Sequence, residues 1–129
     1  MLNLTNDEKI AKLGIETGMQ LANDTANKAG WYRNPTTGKA IQRNFGEVLA
    51  LMHSELSEAL EAHRKGLQDD KLPTRTGVEV ELADCVIRIF DTAKALNLDL
   101  AGAIIEKNRY NKTRSDHKLK NRKNGGKKY

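Results

Sequence analysis

The sequence predicts an all-α fold, an antiparallel four-helix bundle, on three observations. Helix-start signals recur, apolar residues repeat at the helical period, and no strand-like alternation survives between the helical stretches. Aromatic residues are only 5% of the 129 and prolines number two. A sandwich or barrel would carry more aromatic and turn-forming residues than that. A chain of this length buries one core of moderate size.

Each element has a local reason. Thr5 and Glu8 fit the S/T-x-x-E capping box, so the first helix starts at about Asn6 and runs to Lys28, with Gly30 as its stop. Residues 30–43 read as a loop, marked by Asn34-Pro35 and Gly38. Asn44, with Glu47 three residues on, caps a second helix from Phe45 to Lys65, and Gly66 falls just past its end. Residues 67–75, including Pro73, form a second loop. Thr76 and Glu79 repeat the capping box ahead of a third helix, from Gly77 to about Leu96. Asp99 caps a fourth, from Leu100 to about Thr113.

The net charge of +5 is unevenly spread. Residues 107–129 hold ten Lys/Arg against the single acid Asp116, a net of +9, while the first 106 residues carry −4. The expectation is a mildly acidic helical domain over 1–117 and a basic, flexible tail over 118–129. Such a tail is either a solvated end or a contact for nucleic acid or polyphosphate. No apolar run approaches the ~18 residues of a membrane span, and the N-terminus lacks the basic flank and apolar stretch of a leader. Cys85 is the one cysteine, which allows neither an internal disulfide nor a thiolate zinc site. A cytoplasmic address is expected.

The acidic residues carry the chemistry. On a helical wheel, Glu55 falls inside the apolar arc of Val48, Leu51, Met52, Ala59 and Ala62, and Glu58 lies on its edge. The third helix repeats the arrangement, with Glu81 on the side of Val78, Cys85 and Ile89, and Asp84 beside it. Arg88 falls between them and Asp91 continues the strip. Buried carboxylates are costly unless they are paired or hold a cation. Hard oxygen donors without Cys or His suit Mg²⁺, or Mn²⁺, rather than zinc. Ordinary salt bridges, with Arg88 neutralising Glu81 or Asp84, are the competing reading.

The run L-A-L-M-H-S-E-L-S-E around Glu55 and Glu58, then E-L-A-D at Glu81 and Asp84, then K-N-R-Y-N-K-T-R at Lys107, Asn111 and Arg114, resembles the MazG-like all-α nucleoside triphosphate pyrophosphohydrolases, in particular small stand-alone or phage-type members. The likeness spans about residues 30–118. It implies cleavage of an NTP or dNTP between the α- and β-phosphates to a monophosphate and pyrophosphate. It implies Mg²⁺ held by Glu55, Glu58, Glu81 and Asp84, with Glu58 as the general base. Lys107, Asn111 and Arg114 would bind phosphates or sugar, and Trp31 would line the pocket or stack on a base. Two alternatives stay open: a phosphoribosyl-ATP-type pyrophosphohydrolase, and a helical nucleic-acid-binding protein working through its tail.

The third helix is apolar on nearly every side, with Leu82, Val86, Ile87 and Phe90 spanning a wide arc. Burial against a second copy is the economical solution, so a homodimer or homotetramer is expected. The resemblance points the same way.

Overall fold

The computed structural model describes residues 3–126. Residues 1–2, which open the stretch read as lacking a leader, and 127–129, the end of the basic tail, lie outside the described residues. The fold is all-α. Its helices are α1 (Asn6–Lys28), α2 (Phe45–Lys65), α3 (Gly77–Ala95) and α4 (Leu100–Thr113), followed by a 3₁₀ turn (Ser115–His117) and the short α5 (Leu119–Lys123). No strand occurs among the described residues, where extended pairing is limited to two isolated bridges, Arg33 with Ala40 and Gln68 with Thr76. Among the same residues, no helix is long and apolar enough to cross a membrane.

The helices begin where side chains satisfy their first amides. Thr5 Oγ1 accepts from the Glu8 amide at 3.3 Å, while the Thr5 amide donates to Glu8 Oε2 at 2.8 Å. Thr76 and Glu79 make the same reciprocal pair at 3.2 and 2.9 Å. Asn44 Oδ1 caps α2 through the Glu47 amide at 3.1 Å, and Asp99 Oδ1 caps α4 through the Gly102 amide at 2.9 Å. Three helices also end alike, with a left-handed residue whose own amide and the next one turn back onto the last carbonyls. Gly30 (φ 83) closes α1 and Gly66 (φ 62) closes α2. At α3 the residue is Asn97, at φ 53, so the helix stops at Ala95 rather than running to Leu96. Asn is the non-glycine residue that tolerates this conformation best, which is why the stop was not marked by a glycine. Beyond Thr113, where the sequence reading assigns no further helix, α5 occupies the first part of the basic tail. Asn121 Nδ2 ties it back to the Ser115 carbonyl at 2.6 Å.

The chain divides into two compact units: residues up to Glu16 with those from Asp99 on, and Thr17–Leu98. In the second, α2 packs along α3, burying Val48, Ala59 and Ala62 with Cys85 and Ala93. Small residues set the approach. A Cβ on Gly77 would lie 2.8 Å from the Ala62 Cβ, and one on Gly18 would lie 2.7 Å from Cε2 of Phe90. Met19 and Ala22 of α1 are buried in the same unit. In the first unit, Arg109 on α4 binds both carboxylate oxygens of Glu8, at 2.6 and 2.5 Å, and the Asn3 carbonyl at 2.9 Å. Leu56, Leu60, Leu82, Val86 and Ile87 on α2 and α3 remain exposed in the single chain.

Candidate metal centre

The pairing of α2 with α3 brings acids from the two helices together. Glu55 is only 5% exposed, and Glu81 and Asp84 are half-buried. One carboxylate oxygen from each falls within 4.8 Å of the others. Arg88, one turn beyond Asp84, donates from Nε to Glu55 Oε1 at 2.5 Å. The sequence places Arg88 beside Glu81 and Asp84 on its own helix. The structure sends the guanidinium across to α2 instead, where the most deeply buried acid lies.

The charges interact strongly. Two carboxylates 4.8 Å apart repel by ~3.5 kcal/mol at an effective dielectric near 20. Burial pushes the Glu81 carboxyl above its usual range, and Glu58 and Glu55 push it further. Burial likewise raises Asp84, with Glu55 adding to it. For Glu55 burial works in the same direction, but the Arg88 hydrogen bond, with those to Glu58 and Glu81, outweighs it and leaves the group lowered. The donor set fits a hard divalent cation: three carboxylates on two rigid helices, with one guanidinium to offset them. His53, His63 and His117 are all exposed and join no such cluster among the described residues.

Glu58 stands apart from this trio. It lies on the exposed side of α2, and its contact with Glu55 is what raises its carboxyl.

A cavity of about 510 Å³ opens beside the acids, and Glu55, Asp84, Arg88, Asp91, Trp31 and Arg43 contribute to its lining. Trp31 is 63% exposed, as a rim residue would be. The Arg43 guanidinium sits 6.0 Å from the ring centroids of both Trp31 and Tyr32. Sequence reasoning passed over Arg43, and the adjacent Trp-Tyr pair in the same loop was the only hint of it. Asp91 proves to be a buried acceptor, taking hydrogen bonds from Asn23 Nδ2 at 2.9 Å and the Tyr32 hydroxyl at 2.8 Å.

Lys107, Asn111 and Arg114 belong to the other unit, the first two on α4 and Arg114 capping its end. Lys107 Nζ and the Arg114 guanidinium stack on Tyr110 at 4.8 and 5.7 Å from its centroid. Arg114 also binds Asp116 through two hydrogen bonds, at 2.9 and 2.5 Å. Asn111 Oδ1 is buried and accepts no hydrogen bond from the described residues.

No family model, curated protein or solved structure matches the chain.

Proposed function

We propose that the chain is a Mg²⁺-dependent nucleoside triphosphate pyrophosphohydrolase that cleaves an NTP or dNTP to the monophosphate and pyrophosphate. The observation that carries this reading is the convergence of Glu55, Glu81 and Asp84 within 4.8 Å beside a cavity of about 510 Å³. A nucleic-acid-binding role for the basic tail would leave that partly buried acidic trio without a purpose.

Glu55, Glu81 and Asp84 would hold the cation, with Glu58 at the edge of the group. When bound, Mg²⁺ offsets phosphate charge and acidifies a coordinated water, and Mn²⁺ can stand in for it. Arg88, already in place at Glu55, keeps that carboxylate ionised and offers positive charge on the cavity wall. Glu58 is the residue we assign to take the proton of the attacking water. The water oxygen bonds to one of the two bridged phosphorus atoms, the bond from that phosphorus to the α–β bridging oxygen breaks, the other product departs with the bridging oxygen, and Glu58 takes the proton. Trp31 would give the base a flat surface. For Lys107, Asn111 and Arg114 the resemblance implies phosphate or sugar contacts.

The reading extends to assembly: an antiparallel four-helix bundle completed in a homodimer or homotetramer. The support is the apolar surface that α2 and α3 leave exposed, Leu60 at 59% and Ile87 at 49% among it.

The test uses Glu55→Gln and Glu81→Gln, which keep size and remove charge. Both should fold, by circular dichroism, and lose at least a hundredfold in the rate of pyrophosphate release. Full activity in both variants would return the acids to a purely structural role.

A further inference from the structure

Asp91 is a buried carboxylate with no basic partner. It is 6% exposed, and among the described residues no Lys, Arg or His forms an ion pair with it. Its two donors are neutral, and both converge on Oδ1. Tyr32 is a firm holder, because burial and the contact with Asp91 raise its hydroxyl to about 12, so it keeps its proton and donates across the neutral range. A carboxylate offers about four acceptor positions, and those that a bound ligand shuts off from water are costly to leave unfilled. No hydrogen bond from the described residues reaches Oδ2, and Asp91 lines the same cavity as Glu55 and Asp84.

The position along α3 is informative. Asp84, Arg88 and Asp91 follow one another, and Asp91 is seven residues from Asp84, about 10 Å along the helix axis. If the phosphates lie at the acid trio, this end of the cavity faces the nucleoside. Trp31 and Arg43 present flat groups there. We infer that Asp91 fixes the nucleoside end of the substrate by accepting a hydrogen bond from an N–H or O–H donor on its base or sugar. The assignment of that end rests on the pyrophosphohydrolase reading above.

Tyr32 and Asn23 make the acceptor rigid, so a bound nucleotide lacking the matching donor covers Oδ2 and leaves it unpaired. Such a mismatch lowers kcat/KM on the order of ten- to a hundredfold. Asp91→Asn is the informative variant. Its amide oxygen can still accept from Asn23 and Tyr32, while the amide nitrogen turns the free acceptor into a donor.

The experiment takes the best-hydrolysed dNTP and analogues that lack, in turn, each base N–H donor and the 3′-hydroxyl. Wild type should lose ten- to a hundredfold in kcat/KM on one of these deletions, and which one identifies base or sugar as the source. Asp91→Asn should lose that discrimination, falling toward the analogue's rate on the parent substrate and gaining nothing from the donor. Tyr32→Phe, which removes one holder and keeps the carboxylate, should narrow the discrimination without reversing it. The inference is overturned if wild type treats all analogues within twofold, or if Asp91→Asn slows every substrate by the same factor. Should Asp91→Asn fail to fold, unchanged discrimination in Tyr32→Phe overturns it. If no triphosphate is hydrolysed at all, the enzymatic reading fails separately. The same deletions are then made in nucleoside monophosphates, titrated by fluorescence of the single tryptophan, Trp31. Donor-dependent binding that Asp91→Asn abolishes upholds the role of Asp91, and absence of binding ends it.

Discussion

Replacing Glu81 with Gln removes one charge from a cluster whose electrostatics can be worked out. Glu81 faces Glu55 and Asp84 with ligand atoms within 4.8 Å. If all three were ionised, each contact would cost ~3.5 kcal/mol at an effective dielectric near 20, so Glu81 would carry ~7 kcal/mol of repulsion. The metal-free protein is relieved of part of this because Arg88 offsets Glu55 and because the Glu81 and Asp84 carboxyls, both raised above their ordinary values of 4.5 and 3.8, hold protons more tightly than in the unfolded chain. The relief left for Glu81→Gln is therefore a fraction of that sum, on the order of 1 kcal/mol, or roughly 3–5 °C in Tm. The sign with pH follows from the same shifts. The folded protein retains protons that the unfolded chain has already released, so metal-free stability falls as pH rises from about 4 through the raised folded values. Glu81→Gln should flatten that fall. Mg²⁺ then reverses the ranking. At a hundredfold excess over Kd it stabilises wild type by ~2.7 kcal/mol, and the variant, short of one ligand, should gain less than half as much. Differential scanning fluorimetry with EDTA and with Mg²⁺, from pH 5 to 8, reads all of this. Equal Mg²⁺ shifts in the two proteins, or a metal-free variant melting several degrees below wild type, would refute the reasoning.

Gly77→Ala should destabilise by ~1–3 kcal/mol in urea unfolding, because the added Cβ would meet the Ala62 Cβ at 2.8 Å. A gain of ~1 kcal/mol, the helix-propensity value, would mean that α2 and α3 separate freely. Glu8 is held down to about 2 by Arg109 and by the Thr5 amide. Its stabilisation is therefore present above about 4.5 and lost as pH falls toward 2, and Arg109→Met should weaken that acid dependence in a pH titration of unfolding, leaving the part due to Thr5. Static light scattering at micromolar concentration should give at least twice the monomer mass, and Ile87→Glu should lower both mass and activity. A fully active monomer would show that the exposed apolar surface of α2 and α3 needs no second copy.

The helices were legible because their ends are written locally. The Thr5/Glu8 and Thr76/Glu79 boxes, Asn44, Asp99, Gly30 and Gly66 each act through hydrogen bonds within about five residues, so sequence order alone locates them. Asn97 was missed because asparagine signals a left-handed stop less strongly than glycine does. The acid trio was legible in part, since helical spacing puts Glu55 and Glu81 on buried faces. Which acid Arg88 would choose was not, because that depends on how α2 sits against α3. The Asn23–Asp91–Tyr32 group joins residues 59 and 68 positions apart in sequence. No local pattern encodes such a contact. The same holds for Arg43, whose loop residues carry no periodicity to point them at α3.

The central claim is the bond that breaks. A panel of NTPs and dNTPs incubated with the protein and Mg²⁺ in ¹⁸O-enriched water, followed by ³¹P NMR and mass spectrometry, tests it most directly. The account predicts monophosphate and pyrophosphate as products, turnover that EDTA abolishes and Mg²⁺ restores, and a single ¹⁸O atom incorporated in one product. Release of inorganic phosphate with a nucleoside diphosphate, or hydrolysis undiminished in excess chelator, would contradict it.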